Sequence, residues 1–174
     1  MKTEPTSAVS NNDYTNPDVE IIRKSQPRVE RNAPIEEGEV EKRPKVDDDD
    51  EGTTYDGEWK IGTEIRQGMG IQTWPDGSVY EGNFYDNKRN GNGRIIYPDQ
   101  TIYNGGWVND AAHGYGELIQ ASGSYTYKGE WLMDHMHGQG TTTDQEGTFE
   151  GEFQESKRQG RGKFTYIAGG FYDG

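Results

Sequence analysis

The three histidines of the chain are the first residues to test for metal chemistry. His135 and His137 are separated by one residue, so on a strand both imidazoles would lie on the same face. A structural zinc site takes four nitrogen or sulfur ligands, and a catalytic site takes three from the protein. The chain has no cysteine, and neither His113 nor any other residue supplies a third ligand near the pair. The sequence therefore predicts no metal site and no disulfide.

Carboxylates are numerous, but their patterns do not fit catalysis. The acidic run at residues 47–51 lacks the alternating spacing and the glycine of a calcium loop. Glu150 and Glu152 recur on the solvent side of a predicted strand, whereas general acid–base catalysis needs carboxylates with tuned pKa values. No serine or threonine lies in a nucleophile elbow, and the Gly-x-Gly pairs lack the strand–turn–helix context of a phosphate loop. We therefore expect a protein without enzymatic activity or cofactor.

The aromatic residues follow a repeat of roughly 23 residues, which is the length of one supersecondary unit in a repeat protein. Each copy opens with an aromatic residue, a glycine two positions later and a second aromatic residue two positions after that. The opening triplets are Tyr55, Gly57 and Trp59; Tyr80, Gly82 and Phe84; Tyr103, Gly105 and Trp107; Tyr127, Gly129 and Trp131; Phe149, Gly151 and Phe153. A sixth copy starts at Tyr172.

A second block follows in every copy and consists of two glycines separated by one residue. These pairs are Gly68 and Gly70, Gly91 and Gly93, Gly114 and Gly116, Gly138 and Gly140, Gly160 and Gly162. Four residues after the second glycine come Trp74, Tyr97, Gln120, Asp144 and Tyr166. A turn comes next and is clearest in Pro75-Asp76-Gly77.

The spacing of these residues predicts the elements that position them. Residues at i, i+2 and i+4 share one face of a strand, so each block is a short strand with an aromatic-plus-glycine face and a polar face. The polar segment 85–90 between two blocks predicts a hairpin loop. Glycine inside a strand suggests that something approaches the backbone closely. We expect an aromatic ring from the neighbouring strand to lie flat over each glycine, as for Gly82 and Gly129.

The composition of the chain predicts two parts, a tail over residues 1–52 and a repeat domain over residues 53–174. Apolar residues make up 29% of the chain, which is low for a two-layer core. The tail is acidic and its apolar residues follow no period, so we expect it to be disordered in isolation. The alternative is that it folds against a partner, with Ile21, Ile22 and Ile35 as anchors.

The net charge of −13 opposes binding to nucleic acids and to anionic membrane surfaces. No apolar run approaches membrane-spanning length, and the N-terminus lacks the apolar core of a secretion signal. We therefore expect a soluble protein of the cytoplasm.

The repeat resembles the MORN repeat, whose pattern is Tyr-Glu-Gly-x-Trp, a basic loop, Gly-x-Gly and then Tyr-Pro-x-Gly. The copy from Tyr80 to Asp99 carries this pattern most completely. The resemblance implies an all-β fold, a single-layer antiparallel β-sheet solenoid of tandem β-hairpins, with repeats starting near residues 55, 80, 103, 127, 149 and 172. Histidine is common in this family before the first glycine of the second block, which accounts for His113 and His137.

Some copies depart from the family pattern. The first copy has two extra residues in its loop at residues 61–67. The third and fourth copies have Gln120 and Asp144 in place of the tyrosine of the Tyr-Pro element. We expect a thinner aromatic groove in these two copies.

The aromatic face predicts a binding groove as well as a core, because exposed aromatic patches mark interaction sites and repeat arrays bind along extended surfaces. The expected partner is a helix or extended segment of another protein. The predicted groove residues are Tyr55, Trp59, Trp74, Tyr80, Phe84, Tyr97, Tyr103, Trp107, Tyr127, Trp131, Phe149, Phe153 and Tyr166. The last strand exposes an unpaired edge, so we also expect a larger complex or a homo-oligomer.

Three functions are compatible with the resemblance. The first is an adaptor in a ciliary, flagellar, axonemal or other cytoskeletal assembly. The second is a membrane-associated module that binds phosphoinositides, which the acidity of the chain disfavours. The third is a regulatory subunit or domain of a lipid kinase or methyltransferase. The adaptor is the function that the sequence predicts.

Overall fold

The computed structural model describes residues 29–30, 39–47 and 52–174. In that part of the chain, strands form a single sheet and a 3-10 turn occupies Ala121–Gly123. The strands are β1 (Val40–Lys42), β2 (Val46–Asp47), β3 (Thr54–Lys60), β4 (Arg66–Thr73), β5 (Val79–Tyr85), β6 (Lys88–Ile96), β7 (Ile102–Val108), β8 (Ala111–Ile119), β9 (Thr126–Leu132), β10 (His135–Thr143), β11 (Gly147–Gln154), β12 (Lys157–Tyr166) and β13 (Phe171–Asp173).

The sheet is an antiparallel meander. From β3 to β13 each strand pairs with the strand that follows it in the chain, and both β1 and β2 pair with β3. Each repeat contributes one hairpin, and the next hairpin extends the sheet on the same side. The prediction of an all-β, single-layer array of tandem hairpins is confirmed.

Tight turns close four of the hairpins. Two adjacent residues with positive φ form each turn, such as Asp86 (φ 49°) and Asn87 (φ 67°). This pair of dihedrals is that of a type I′ turn, whose twist matches the right-handed twist of the strands it joins. The predicted loop at residues 85–90 is thus too long, because Lys88 onward already belongs to β6.

Wider turns lead from one repeat to the next. In the first of them the amide of Gly77 (φ 91°) donates to the carbonyl of Trp74 at 2.9 Å. The carboxylate of Asp76 accepts the amide of Ser78 at 2.8 Å. Asp99 accepts the amide of Thr101 in the same way at the end of the second repeat. The Pro-Asp-Gly turn predicted from the sequence is confirmed here, with the aspartate stabilising the reversal of the chain.

Two short strands precede the repeats and pair with the free edge of β3. Val40 faces Lys60, and Val46 faces Tyr55. The prediction placed residues 1–52 in a tail that is disordered in isolation, and the structure differs from it at Val40–Lys42 and Val46–Asp47, which form strands. The outer edge of β3 would otherwise present unpaired amides and carbonyls. These groups pair with the backbone of an extended segment, so the segment needs no alternating apolar pattern. Ile21, Ile22 and Ile35 lie outside the described residues.

Among residues 29–30, 39–47 and 52–174, no helix has the length and apolar character needed to cross a lipid bilayer.

Candidate partner-binding face

Glycines form a continuous row across the sheet from β3 to β12. Gly57 pairs with Gly70, Gly70 with Gly82, and Gly82 with Gly93. The row continues with Gly105, Gly116, Gly129, Gly140, Gly151 and Gly162. The aromatic residue two positions before the glycine in each odd-numbered strand of this series shares its face. We call this face the aromatic face, and the opposite side of the sheet the back face.

One aromatic ring in each repeat lies over two glycines of the row. The Tyr80 ring covers Gly82 on its own strand and Gly93 on the paired strand, and a Cβ on Gly82 would come within 2.6 Å of Tyr80 Cζ. Tyr55 covers Gly57 and Gly70 in the same manner. The prediction that rings lie over glycines is confirmed. The prediction that each ring comes from the neighbouring strand is correct for only one of the two glycines that it covers. Each ring covers the glycine of its own strand as well as that of the neighbouring strand.

The rings contact one another in an unbroken series from the first repeat to the fifth. Successive rings meet edge to face, with centroids 5.0–5.5 Å apart. The series runs Trp59, Tyr55, Phe84, Tyr80, Trp107, Tyr103, Trp131, Tyr127, Phe153 and Phe149. We call it the ring ladder. Edge-to-face pairs stabilise by roughly 0.5–1.5 kcal/mol beyond their buried area, so the ladder holds the repeats together without a second layer.

Backbone carbonyls accept from the ladder tyrosines, Trp107 and Trp131, whereas Trp59 Nε1 is buried without a hydrogen-bond partner among the described residues. The Tyr80 hydroxyl donates to the carbonyl of Asn83 at 3.0 Å, and the Tyr127 hydroxyl donates to that of Glu130 at 2.7 Å. Trp107 Nε1 donates to the carbonyl of Gly93 at 3.1 Å. The fifth repeat has Phe149 at the tyrosine position and lacks such a hydroxyl. The rings that donate these hydrogen bonds are thereby fixed in orientation as well as in depth.

Burial also changes the acidity of the ladder tyrosines. Removal from water disfavours the phenolate, which raises the pKa of Tyr127 to about 12. The same cause raises the pKa of Tyr80 and Tyr103 still further above the ordinary value. These hydroxyls stay protonated at neutral pH and act as hydrogen-bond donors.

Arginines lie over the ladder from the hairpin ends. The guanidinium of Arg89 is 4.4 Å from the Trp107 ring centroid and 5.8 Å from that of Tyr80. Arg66 of the first repeat lies over Tyr55 of the same repeat at 5.8 Å and over Phe84 of the second repeat at 5.6 Å. Cations over ring faces are attracted by the ring quadrupole, more strongly where water is excluded.

The arginine row is interrupted in the middle of the array. Arg158 occupies the equivalent position in the fifth repeat, 4.8 Å from the Phe149 centroid. The third and fourth repeats have Ala112 and Met136 there. The sequence prediction did not include these arginines. Their signal is an arginine two positions before the first glycine of the second block, which recurs in three of the five complete copies.

Hydrogen bonds at the hairpin ends join each repeat to the next. The carboxylate of Asp110 accepts the backbone amide of Arg89 at 2.9 Å, and the Asp110 amide donates to the Arg89 carbonyl at 3.0 Å. Asp134 makes the same pair of bonds with Ala112, at 2.7 and 2.9 Å. The tight turn of one repeat is thus hydrogen-bonded to the hairpin of the preceding repeat. These bonds fix the distance between successive positions of the arginine row.

The structure divides the predicted groove residues into three groups. Those buried in the ladder are Tyr55, Trp59, Tyr80, Phe84, Tyr103, Trp107, Tyr127, Trp131 and Phe153. Trp74 and Phe149 are partly buried and pack against the ladder. Tyr97 and Tyr166 are 38% and 47% exposed. The surface open to a partner is therefore the rim formed by Trp74, Tyr97, Phe149 and Tyr166, and the buried rings support it from below. We call these four residues the aromatic rim.

The residues first considered for metal or acid–base chemistry do not come together. His135, Glu150 and Glu152 are exposed, while His113 and His137 are half-buried. The described ranges hold no group of three or more histidine, aspartate or glutamate side chains placed to bind a metal ion.

The geometry defines a class of protein, a single-sheet array of β-hairpins held together by aromatic rings over a glycine row. A family model, the MORN repeat, matches residues 55–79, 80–102, 103–125, 127–148 and 149–171. The chain belongs to this family, which is generally a non-catalytic repeat module and is consistent with a binding or scaffold role. No curated protein matches the chain significantly.

Proposed function

We propose that this chain is a non-catalytic scaffold that holds a helical or extended segment of a partner protein along its aromatic face. The observation that supports the proposal is the aromatic rim. Tyr97 and Tyr166 keep 38% and 47% of their surface exposed although they belong to the same face as the ladder. Tyrosine is enriched among the residues that dominate binding energy at protein interfaces.

Rigidity of the rim supports this role. The ladder beneath it is buried, hydrogen-bonded and covered by arginines, so the rim side chains lie on a fixed platform. Binding to a fixed platform costs less conformational entropy than binding to mobile loops. A partner that places apolar side chains between Trp74, Tyr97 and Tyr166 would bury their exposed ring edges.

The setting that we propose is a ciliary, axonemal or other cytoskeletal assembly in the cytoplasm. This part rests on the resemblance to short chains built from the same repeat, and family membership alone does not assign a function. A role in a larger complex or homo-oligomer fits an array whose strands add to one another edge to edge.

Cross-linking mass spectrometry on the protein from its native source is the direct test. We expect partner cross-links to concentrate on the aromatic face. The double variant Tyr97→Ala and Tyr166→Ala is expected to lose the partner while keeping its fold, because both side chains are at the surface. The matched control is Tyr85→Ala with Tyr115→Ala, two tyrosines 62% and 63% exposed on the back face.

Equal loss of the partner in both double variants would contradict the proposal, since it would mean that the aromatic face is not the binding surface. Vesicles containing phosphoinositides provide the second arm. Strong binding of the wild-type chain to them, with no protein partner captured, would support the membrane-associated module instead. The net charge of −13 opposes that outcome.

A further inference from the structure

A small apolar patch on the back face is buried although the sheet has a single layer. Val79, Ile96 and Ile102 are 2%, 1% and 9% exposed, and Ile71 packs against them. Val79 pairs with Ile96, and Ile96 pairs with Ile102, so the three side chains stand side by side. Neighbours in the plane of a sheet cover only the flanks of a side chain that stands perpendicular to it.

The same row of the sheet shows that this burial is local. Ile119 pairs with Ile102 in the next strand and is half-buried. Farther along the row, Thr165 is exposed, and its partner Phe171 is 67% exposed. Since Ile119 and Thr165, like Ile96, each lie between two paired strands on the back face, the low exposure around Ile96 requires a cover that is absent at Thr165.

A buried cation beside the patch supports this conclusion. Arg94 follows the glycine row in β6, and only 3% of its side chain is exposed. Its guanidinium forms an ion pair with Glu81 at 3.1 Å, and the Glu81 side chain is 18% exposed. A charged pair on the outer surface of an uncovered sheet would be well hydrated.

The N-terminal part of the chain already touches this face. The carbonyl of Glu30 accepts a hydrogen bond from Asn83 Nδ2 at 3.1 Å. Val29 and Glu30 also line a shallow cleft on the back face together with Asn92 and Asn104. Val29 and Glu30 therefore lie on the same side of the sheet as the patch.

Chain geometry shows which residues can reach the patch. Residues 31–38 lead from Glu30 to Glu39, whose carbonyl accepts the amide of Ile61 at the hairpin end of β3. That end lies away from Val79, so the connection from Glu30 to Glu39 leads away from the patch and does not have to pass it. Twenty-eight residues precede Val29. From Asn83 to Val79 along β5 is roughly 13 Å, and the seven residue-to-residue steps from Val29 back to Ile22 span up to about 24 Å.

We propose that the segment preceding Val29 packs across the back face, with Ile21 and Ile22 seated on the patch formed by Val79, Ile96 and Ile102. Two adjacent β-branched side chains match the apolar character of the patch. This segment is thus an intramolecular cover for β5, β6 and β7, on the side opposite the aromatic rim. Partner binding and tail docking use different faces, so both can occur at once.

Cysteine cross-linking in the full chain tests the proposal, because the wild-type sequence has no cysteine. The test variant is Ile22→Cys with Ile102→Cys, treated with a short bifunctional maleimide. The matched control is Ile22→Cys with Thr165→Cys, which uses the same row of the back face roughly 24 Å away, five strands farther on. We expect an intramolecular cross-link in the test variant and none in the control.

Cross-links between two copies, or equal yields in the two variants, would overturn the proposal. The first result would mean that a second copy covers the patch, and the second that the tail has no preferred position. Hydrogen exchange supplies an independent measurement. The full-chain variant Ile21→Asp with Ile22→Asp is expected to exchange faster in β5 to β7 than a control with Val9→Asp, and unchanged exchange would contradict the proposal.

Discussion

The guanidinium of Arg89 lies 4.4 Å from the centroid of the Trp107 ring, across the boundary between the second and third repeats. The same side chain donates from Nε to the Asp110 carboxylate at 3.2 Å and from Nη2 to the Asp110 carbonyl at 2.8 Å. One arginine therefore connects two repeats through a ring and through a turn. Because only 19% of its side chain is exposed, solvent screens these contacts weakly.

Replacement of Arg89 by methionine is expected to destabilise the array by about 2 kcal/mol. Methionine keeps much of the apolar stem but loses the charge over the ring, and a desolvated cation–π contact is worth roughly that amount. Urea unfolding monitored by tryptophan fluorescence measures the change. Lys88→Met is the control, since this neighbouring side chain is exposed and its loss is expected to cost less than about 0.5 kcal/mol. Equal costs for the two variants would show that Arg89 does not join the repeats.

Replacement of Gly93 by alanine tests whether the Tyr80 ring requires a glycine beneath it. A Cβ at this position meets atoms of the Tyr80 ring, with Cε2 at 2.5 Å. We expect a loss of about 1–3 kcal/mol, the usual cost of overpacking. Thermal or urea unfolding measures it.

A double-mutant cycle separates the ring contact from other effects of the Gly93 substitution. In a Tyr80→Ala background the ring is absent, so Gly93→Ala should cost much less than it does in the wild-type chain. Coupled residues in direct contact differ from additivity by roughly 0.5–3 kcal/mol. An additive result would contradict the view that the ring of Tyr80 is the reason for glycine at position 93.

Replacement of Phe149 by tyrosine should stabilise the fifth repeat. The Phe149 ring lies over Gly151 and Gly162 as the tyrosines do over their glycines, but it has no hydroxyl. By analogy with the bond from Tyr127 to the Glu130 carbonyl, the new hydroxyl would donate to the Glu152 carbonyl. A hydrogen bond of this kind contributes about 1 kcal/mol.

The reciprocal change, Tyr127→Phe, should lose a similar amount in the fourth repeat. Both variants are compared with the wild-type chain by urea unfolding. A stability of the Phe149→Tyr variant below that of the wild-type chain would mean that the fifth repeat does not present its carbonyl to the ring.

Alkaline pH is expected to unfold the sheet through the ladder tyrosines. Their pKa is raised in the folded state by burial, to about 12 for Tyr127, against roughly 10 in an unfolded chain. Below pH 10 both states keep the proton and the contribution to stability is fully present. Above pH 10 the unfolded state loses protons first, so stability falls as the pH rises toward 12.

The ultraviolet absorbance of phenolate, recorded together with circular dichroism of the sheet, measures this effect. We expect a late-titrating group of tyrosines whose ionisation coincides with loss of strand signal. Ionisation of all tyrosines near pH 10 with the strand signal intact would contradict the burial of Tyr80, Tyr103 and Tyr127.

The ring ladder could be predicted because its positions are encoded in the spacing of neighbouring residues. Tyr80, Gly82 and Phe84 share a face by the geometry of a strand alone, and five copies repeat the pattern in phase. The register of the sheet then follows, since each glycine must pair with another glycine for a ring to lie flat over both. Local geometry was sufficient for this part of the fold.

Other features depend on contacts between distant parts of the chain. The direction of the long Arg89 side chain is set by the ring of Trp107 and the turn at Asp110, and neither is implied by an arginine in a polar loop. The strand Val40–Lys42 follows no alternating pattern and forms because the edge of β3 is available to it. The exposed part of the aromatic face could not be predicted either, because the sequence does not show which rings the ladder buries.

The order of the strands has a consequence for how the molecule is made. From β3 to β13 every strand lies beside the strand that follows it in the chain, so strand pairing joins only residues of the same repeat or of adjacent repeats. Folds with such local contacts form rapidly because little loop-closure entropy opposes them. A hairpin emerging from the ribosome would find its docking edge already formed by the hairpin synthesised before it. The array can thus grow by templated addition during translation, without waiting for its C-terminal residues.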